Sequence, residues 1–316
     1  MNNKILYDEF CKNNKDFLIF YQPWWLDTVC GPNNWDVVLC IKNKEILGAF
    51  PYFFKKKFGL KLLITPKFSQ IMGPLVSEKI ETNTDKSKII SELIKMLPKF
   101  NYLSINLNYT LNDWRPFYWK GYLQSTNYTC IIENLCDEKK IFNNFSSTNK
   151  RMIKKANLNE LRFNSDITIE EFYKHYKFFL SKRKKVLFYS YNEIKNIFQN
   201  LKKKNQGCTF SVSDKNNNIL SIALIIWDKK SSYMLLNSTD PAMKNTGCTQ
   251  YLISEILLFL KEKTKSFNFE GSMNKEIFNF YNSFGGNISS YYKIVKSDPF
   301  YLRHLINDNN QNFIEI

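Results

Sequence analysis

The chain has 316 residues, of which 44% are hydrophobic and 16% aromatic. It is long enough for two domains or one large α/β unit, and apolar enough to bury a core, so the composition predicts a folded globular protein. Lysine and arginine exceed aspartate and glutamate by 45 − 29 = 16, which indicates an anionic partner such as nucleic acid, a nucleotide cofactor or a phospholipid surface. The alternative explanation for the excess of lysine is an AT-rich genome, which encodes lysine often. In that case the positive runs at 55–57, 183–185 and 202–204 are solvated surface.

The first half of the sequence predicts strands with one clear helix among them. Residues 1–35 carry a short helix and an aromatic loop, and residues 112–121 form an aromatic-rich connector. A helix is predicted at 87–97 from helical spacing of apolar residues. Alternating apolar residues predict five strands, at 36–41, 46–54, 60–65, 102–107 and 128–133.

The second half begins with helices and then repeats the order of the first. A basic helix is predicted at 142–159 and a longer helical region at 169–201. A last short strand ends at Glu270, and a short helix with Tyr281 on its apolar face stops at Gly285-Gly286. Three strands, at 208–213, 219–227 and 232–237, and a helix at 249–263 lie between the helical region 169–201 and that last strand.

The two halves match each other in sequence pattern. Leu103 matches Phe267 and Gly121 matches Gly285, and each pair is 164 positions apart (267 − 103 = 164). A domain-sized period of this kind indicates a duplicated domain rather than a solenoid. We therefore predict an α/β (α+β) fold with two similar domains. The predicted ranges are 1–140, 141–300 and, for a C-terminal tail, 301–316.

The stretch around Glu270 is the first candidate for a site. Glu270 lies at the C-terminal end of a predicted strand, Gly271 permits a sharp turn, and a helix begins soon after. Ligands of α/β sheets collect outside the carboxyl ends of strands, so a carboxylate here is placed for proton transfer. The alternative is a structural role, in which Glu270 caps the helix or pairs with a nearby lysine.

Cysteine and histidine usage argues against metal and disulfide chemistry. The seven cysteines are odd in number and scattered, without a C-x-x-C pair, which indicates a reducing compartment. His175 and His304 are far apart in sequence, so a histidine-based triad or metal cluster is not expected. No stretch resembles a signal peptide, and the apolar runs are too short to span a bilayer. We expect a cytoplasmic protein, with the inner face of the membrane as an open alternative.

Several motifs resemble the FemAB-like N-acyltransferases, a branch of the GNAT superfamily with two GNAT domains in tandem. The order of hairpin, strand, loop, helix and glutamate-bearing strand occurs twice, and the resemblance extends from about Trp24 to Lys296. The most specific block is Phe267 to Ser272 with Phe284-Gly285-Gly286. The other blocks are Phe68-Ser69-Gln70 with Gly73-Pro74, Trp114 to Phe117, Trp119 to Gly121, and Arg151 to Ala156.

The resemblance implies acyl transfer to an amine, with acyl-CoA or aminoacyl-tRNA as the donor and no metal. GNAT proteins hold the donor pyrophosphate in a loop of the pattern Arg/Gln-x-x-Gly-x-Gly/Ala at a helix N-terminus. The corresponding stretch begins at Lys244 and ends at Thr249, and both residues depart from that pattern. Gly247 permits close backbone approach, and the following helix offers N–H groups to an anion. The expected donor-binding residues are Lys244, Gly247, Cys248 and Thr249.

Attack by an amine on a thioester or ester needs a base and donors for the developing oxyanion. We assign Glu270 as the general base, acting directly or through a water. Ser272, Lys275 or backbone N–H groups nearby are expected to stabilise the oxyanion. Tyr291 or, as the chosen candidate, Tyr292 is expected to protonate the leaving group, with ordinary core packing as the alternative for both.

Two further groups are expected to contact the substrate. Arg151, Lys154 and Lys155 share one helix face and suit a carrier phosphate or tRNA, with a solvated surface as the alternative. Aromatic residues of the 112–121 connector suit a sugar or peptide in a cleft, with a domain-interface core as the alternative. The expected substrate contacts are Gln70, Trp114, Trp119, Arg151 and Lys155.

We favour acyl-CoA as the donor because the helical region shows no sustained heptads, whereas Fem-type enzymes that use aminoacyl-tRNA often carry a coiled-coil arm. The acceptor implied by the resemblance is an amino group on a cell-envelope or polysaccharide precursor. One alternative is an aminoacyl-tRNA-dependent transferase acting on a peptidoglycan stem peptide. The other is a non-catalytic nucleic-acid- or membrane-surface-binding protein on a decayed transferase fold. The oligomeric state stays open.

Overall fold

The computed structural model describes residues 2–14 and 16–298. The predicted boundary between residues 140 and 141 falls inside the second of two compact units, and the predicted tail at 301–316 lies outside the described residues. The chain enters the second unit once and returns to the first once. Among the described residues, unit 1 comprises 2–14, 16–127 and 290–298, and unit 2 comprises Tyr128–Ser289.

Unit 1 begins with two α-helices, continues with four strands and then alternates helices with strands. The side chain of Thr82 starts the main helix, α3, by accepting the N–H of Asp85. Helical spacing then buries Ile90, Leu93 and Ile94, so that α3 packs its apolar face against the sheet. In chain order the elements are α1 (Asn3–Asn13), α2 (Pro23–Cys30), β1 (Trp35–Lys42), β2 (Glu45–Lys57), β3 (Leu60–Ile64), β4 (Leu75–Val76), α3 (Asn83–Met96), β5 (Tyr102–Asn106), α4 (Arg115–Tyr118) and β6 (Leu123–Ile132), whose second half lies in unit 2.

Unit 2 opens with helices and continues with strands β7 to β11, with further helices between them. None of the helices in the described part of the chain has the length and apolar composition needed to cross a membrane. In chain order the elements are α5 (Glu138–Asn144), α6 (Ser147–Leu158), β7 (Arg162–Ser165), α7 (Ile169–Lys182), α8 (Tyr191–Lys204), β8 (Gly207–Ser213), β9 (Ile219–Trp227), β10 (Ser231–Thr239), a 3₁₀ turn (Pro241–Thr246), α9 (Cys248–Leu260), β11 (Ser266–Asn268), α10 (Lys275–Asn282) and β12 (Asn287–Ser297), which ends in unit 1.

The same strand pattern occurs in both units. In unit 1, β1, β2 and β3 pair antiparallel, the chain crosses through α3, and β5 pairs parallel with β3. In unit 2, β8, β9 and β10 pair antiparallel, the chain crosses through α9, and β11 pairs parallel with β10. The repeat found in the sequence is therefore a repeat of topology.

The last strand of each repeat completes the sheet of the other unit. β6 follows α4 in the first half of the chain but pairs antiparallel with β11 in unit 2. β12 follows α10 in the second half but pairs antiparallel with β5 in unit 1. Each unit is thus completed by a strand that is distant in sequence.

Two predicted helical segments are divided in the structure. The helix predicted at 142–159 is interrupted at Ser146, because the side chain of this residue caps α6 by accepting a backbone N–H. The region predicted at 169–201 is divided into α7 and α8, and a capping box of Ser190 and Glu193 starts α8. The short edge strand β7 has no counterpart among the predicted strands.

Candidate active site

The parallel strands β10 and β11 stay paired over only three positions. Residues 231–233 pair with residues 266–268, after which β11 ends and β10 continues. Just beyond this point, a bulge at Leu235 interrupts the pairing of β10 with β9. We call the region between residues 234–239 and residues 269–271 the unit 2 notch. It lies at the carboxyl ends of parallel strands, where ligands of α/β sheets bind.

Glu270 lies in the unit 2 notch, directly after β11. Its φ is +62° and that of Gly271 is +72°, so two consecutive residues adopt the left-handed conformation. A non-glycine residue in this region is strained by about 1 kcal/mol or more. The side chain of Asn268 holds the turn, because its Oδ1 accepts the Glu270 N–H at 2.8 Å. Gly271 is required because a Cβ would lie 2.2 Å from the carbonyl oxygen of Tyr128.

The Glu270 carboxyl group is desolvated and incompletely bonded. The residue as a whole is half-buried, but its Oε1 has neither solvent contact nor a hydrogen-bond partner. Burial raises the pKa of this carboxyl group to about 8, because desolvation disfavours the charged form. A pKa close to neutral pH suits general acid–base catalysis. The unpaired oxygen leaves a position for a substrate donor.

Tyr281 of α10 and Asn237 of β10 are polar neighbours in the same region. Burial raises the pKa of the Tyr281 hydroxyl to about 12, a hydrogen bond with Asn237 opposes that rise, and the charge of Glu270 adds to it. The Tyr281 ring is held by Phe269, on which it stacks with 4.7 Å between centroids. The hydroxyl therefore stays protonated near neutral pH and serves as a hydrogen-bond donor in the notch.

Arg183, directly after α7, reaches the end of β10. Its Nη2 donates to the carbonyl oxygen of Thr239 at 2.6 Å, while its Nε is buried without a hydrogen-bond partner. Burial lowers the pKa of the guanidinium group, and the charge of Asp240 acts in the opposite direction. Lys182 pairs with Asp240, at 2.6 Å between Nζ and Oδ2. Two cations thus lie near one carboxylate, which leaves a surplus positive charge and, at the Arg183 Nε, an unused donor for an anionic ligand group.

Three of the four predicted catalytic residues lie in one stretch of unit 2. Ser272 is half-buried two residues after Glu270, and its Oγ accepts the N–H of Asn274 at 3.1 Å. Lys275 is the exposed first residue of α10. Tyr292 belongs to unit 1, where its side chain packs against the core. That contact is the packing role given above as the alternative for this tyrosine.

The predicted pyrophosphate loop is the 3₁₀ turn after β10 together with the start of α9. Gly247 precedes α9 with φ = +88°, and a Cβ there would lie 2.1 Å from the carbonyl oxygen of Met152 on α6. Glycine is therefore required at this position by the packing of α6, whatever the loop binds.

The other predicted donor-binding residues have different surroundings. Lys244 is exposed on the 3₁₀ turn, whereas Cys248 is fully buried in the core of unit 2. The Thr249 hydroxyl shares a hydrogen bond with that of Thr239 at 2.8 Å, and the Thr239 carbonyl accepts from Arg183. The start of α9 is thus linked to the cationic end of β10, an arrangement that suits a phosphate group.

The predicted substrate-binding residues fall into two sets. In unit 1, Gln70 is buried, Trp114 packs against the core and Trp119 is 61% exposed. In unit 2, Arg151 and Lys155 lie four residues apart on α6, and both are exposed. The α6 pair is therefore accessible to a partner in solution.

Several solved structures share this architecture. The crystal structure of FemX matches over 95% of this chain and 97% of its own length, with a TM-score of 0.72 and 12% identity. The C-terminal DUF2156 domain of a putative lysylphosphatidylglycerol synthetase from Agrobacterium fabrum matches over 97% and 96%, with a TM-score of 0.61 and 10% identity. A tandem GNAT protein from the clavulanic acid biosynthesis pathway matches over 83% and 82%, with a TM-score of 0.53 and 7% identity.

No protein-family model matches the sequence, and no curated protein matches it. The likeness is therefore one of structure, and it covers both units. It confirms the predicted α/β fold class with tandem GNAT-like units, in which the strands pair mostly antiparallel and are flanked by helices. The chain has a FemAB-like, GNAT-type fold.

Proposed function

We propose that the protein is an N-acyltransferase that moves an acyl group from acyl-CoA to an amino group, with Glu270 as the general base. The observation that carries the proposal is the Glu270 carboxyl group in the unit 2 notch, with a buried, unpaired oxygen and a pKa raised to about 8. Carboxyl groups with a purely structural role are normally hydrogen-bonded or paired when buried. A buried carboxyl group with an oxygen that has neither kind of partner suits proton transfer.

The proposed reaction is a direct transfer between two bound substrates. The ionised Glu270 carboxylate takes a proton from the acceptor amine as the nitrogen attacks the thioester carbonyl carbon and the C–N bond forms. The Ser272 hydroxyl or backbone N–H groups at the Leu235 bulge stabilise the oxyanion. The C–S bond then breaks, and the Tyr281 hydroxyl donates a hydrogen bond to the leaving thiolate. The proton held by Glu270 finally neutralises that thiolate, so the protons balance.

The donor is proposed to bind along β10 with its pyrophosphate at the start of α9. Beyond Tyr233, β10 is no longer paired with β11, which gives an extended pantetheine arm a strand edge for backbone hydrogen bonds. Backbone N–H groups at the start of α9 and the exposed Lys244 supply positive potential for the pyrophosphate.

We propose an acceptor amine that belongs to a cell-envelope or polysaccharide precursor and carries an anionic group. The surplus charge of Lys182 and Arg183 over Asp240 supports the anionic group. The buried Nε of Arg183 gains most from such a ligand, because a buried donor without a partner is costly. The acceptor class itself is supported by the FemAB-like fold.

A second candidate is an aminoacyl-tRNA-dependent transferase that acts on a peptidoglycan stem peptide. It is favoured by the exposed Arg151, Lys154 and Lys155 on α6, because Met152 of the same helix packs directly on Gly247 of the donor loop. A polyanionic donor held at the start of α9 would meet these cations. The ester C–O bond would then break in place of the C–S bond, with the same base.

Calorimetric titration of the purified protein separates the two donors. We expect saturable binding of a CoA thioester, and no more binding of charged than of uncharged tRNA. With an amine acceptor present, release of CoA thiol should be strong for the native protein and for the control variant Glu276→Gln, an exposed carboxylate on α10, and weak for Glu270→Gln. Binding of charged tRNA without binding of the CoA thioester would reject the acyl-CoA-dependent transferase and favour the aminoacyl-tRNA-dependent one. Undiminished thiol release by Glu270→Gln would reject Glu270 as the base.

A further inference from the structure

The tip of the β2–β3 hairpin in unit 1 has an unusual turn residue. The loop consists of Phe58 and Gly59, with φ values of +50° and +75°. Two consecutive positive φ values indicate a type I′ turn, in which the first position favours asparagine, aspartate or glycine. The β1–β2 hairpin of the same unit has Asn43 at that position, also with φ = +50°. Phe58 therefore occupies a backbone conformation that disfavours it.

Phe58 is also exposed. Its relative exposure is 78%, and the Lys57 Nζ lies 5.5 Å from the ring centroid, so the ring gains little apolar burial to offset the strained backbone. An exposed apolar ring at a hairpin tip, in a backbone conformation that disfavours it, is placed to enter an apolar surface such as the interfacial region of a bilayer.

Lysines lie on both faces of this hairpin. Lys56 is directly opposite Lys61 in the antiparallel ladder, and like charges in that position destabilise a sheet. Lys55 alternates to the other face, where burial lowers its pKa and the charges of Lys57 and Lys67 lower it further. An anion bound at either face would reduce the repulsion between the lysines on that face.

The segment 46–77 contains five lysines and no aspartate or glutamate, so its own side chains carry a net charge of +5. An anionic phospholipid surface fits both features, because lysines bind headgroups while an apolar ring enters the interface. Nucleic acid fits less well, because it is bound preferentially through arginine and through stacking on several aromatic residues. We propose that the β2–β3 hairpin docks the protein on an anionic membrane surface, with Phe58 inserted among the lipids. This inference concerns unit 1 and goes beyond the chemistry proposed for unit 2.

Flotation of the full chain with lipid vesicles tests the proposal. We expect binding to vesicles of phosphatidylcholine mixed with phosphatidylglycerol, no binding to phosphatidylcholine alone, and weakening by salt. Phe58→Asn should weaken the binding about tenfold, and Lys56→Gln or Lys61→Gln about fivefold each. Asparagine is the favoured residue of this turn type, so Phe58→Asn should fold at least as well as the native chain.

Phe188→Asn is the matched control, because Phe188 is also an exposed phenylalanine (46%) but lies in unit 2; this variant should bind vesicles as the native chain does. Thiol release with a soluble amine should be the same for Phe58→Asn as for the native chain, which separates this test from that of the acyltransferase chemistry. Absence of binding to anionic vesicles, or equal binding by Phe58→Asn, would overturn the proposal. An RNA gel shift that is abolished by the same variants would also overturn it, by assigning the hairpin to nucleic acid.

Discussion

The two units contain the same parallel strand pair, but the space beyond it differs between them. In unit 1 the chain after β3 turns back into this space: the Met72 N–H donates to the carbonyl oxygen of Asn106 at 2.7 Å. The side-chain amide of Asn106 donates to the carbonyl oxygen of Gln70 at 3.0 Å. The matching position in unit 2, 164 residues later (270 − 106 = 164), is Glu270, whose Oε1 has no hydrogen-bond partner.

The same topology thus holds a hydrogen-bonded neutral amide in unit 1 and an ionisable group with an unpaired oxygen in unit 2. In unit 1 a neutral amide is bonded by a loop of its own unit, and Gly73 lets that loop approach so closely that a Cβ would lie 2.9 Å from Leu107. In unit 2 an ionisable group occupies the same position with a strained backbone and a shifted pKa. Strain and desolvation of this kind persist where function requires them. We infer that unit 2 carries the chemistry and that unit 1 supports it.

The largest expected effect distinguishes the two positions directly. Glu270→Gln should lower kcat by at least about 100-fold, because general base catalysis contributes that much or more. Asn106→Asp in unit 1 should leave kcat unchanged but lower the free energy of unfolding by about 1–3 kcal/mol, because the carboxylate cannot donate to Gln70. Steady-state kinetics and urea unfolding measure the two effects. Equal losses of kcat in both variants would show that the two positions do not differ in function.

The same substitution should change the pH dependence of stability. The folded-state pKa of Glu270, about 8, exceeds the ordinary value of 4.5, so the folded protein retains a proton that the unfolded chain releases between these values. The stabilisation is complete below the ordinary pKa and is lost as pH rises through the folded-state pKa. Relative to Glu270→Gln, the native protein should therefore lose a few kcal/mol of unfolding free energy over this range. Parallel stability curves for the two proteins, from urea unfolding at several pH values, would contradict the shifted pKa.

A pair of matched glycines tests whether the two copies are packed alike. Gly121 and Gly285 both have φ = +75°, but a Cβ at Gly285 would lie 2.5 Å from the backbone of Asn144, while one at Gly121 meets nothing within 4 Å. Both alanine variants should lose about 1 kcal/mol from left-handed strain. Gly285→Ala should lose about 1–3 kcal/mol more from overpacking. Thermal unfolding measures the difference, and equal melting temperatures would contradict the packing described.

The smallest expected effect concerns two arginines. Arg183→Gln should raise the KM for an anionic acceptor about tenfold, because a hydrogen bond to a charged group is lost. Arg115 in unit 1 is exposed and pairs with Asp113, so Arg115→Gln should leave KM unchanged. A similar rise of KM with an uncharged acceptor would show that Arg183 acts on structure rather than on the anionic group.

The strands and Glu270 could be predicted because their signals are local. Alternation of apolar residues predicted both hairpins, and a strand followed by Gly271 predicted a turn at Glu270. Cap positions set the helix boundaries, so Ser146 divided a helix that apolar spacing alone had predicted as continuous. The exchange of β6 and β12 could not be predicted, because strand pairing depends on tertiary contacts.

The other polar groups of the unit 2 notch could not be predicted either. Arg183 belongs to a run of basic residues that resembles any solvated surface, and only the fold brings it to Thr239. Tyr281 was predicted as part of an apolar helix face, which gives no sign of its proximity to Glu270. No local sequence pattern distinguishes a buried side chain that contributes a polar group to the notch from one that only packs in the core.

The assignment of Glu270 as the general base is tested most directly by the pH dependence of kcat/KM, which reports the ionisation of groups in the free enzyme. The acceptor amine should have a pKa well below that of Glu270, so that its own ionisation does not contribute. We predict that kcat/KM of the native protein rises with pH and levels off above about 8, and that Glu270→Gln shows a low and flat profile. The same rise in Glu270→Gln, or a flat profile in the native protein, would contradict the assignment of Glu270 as the base.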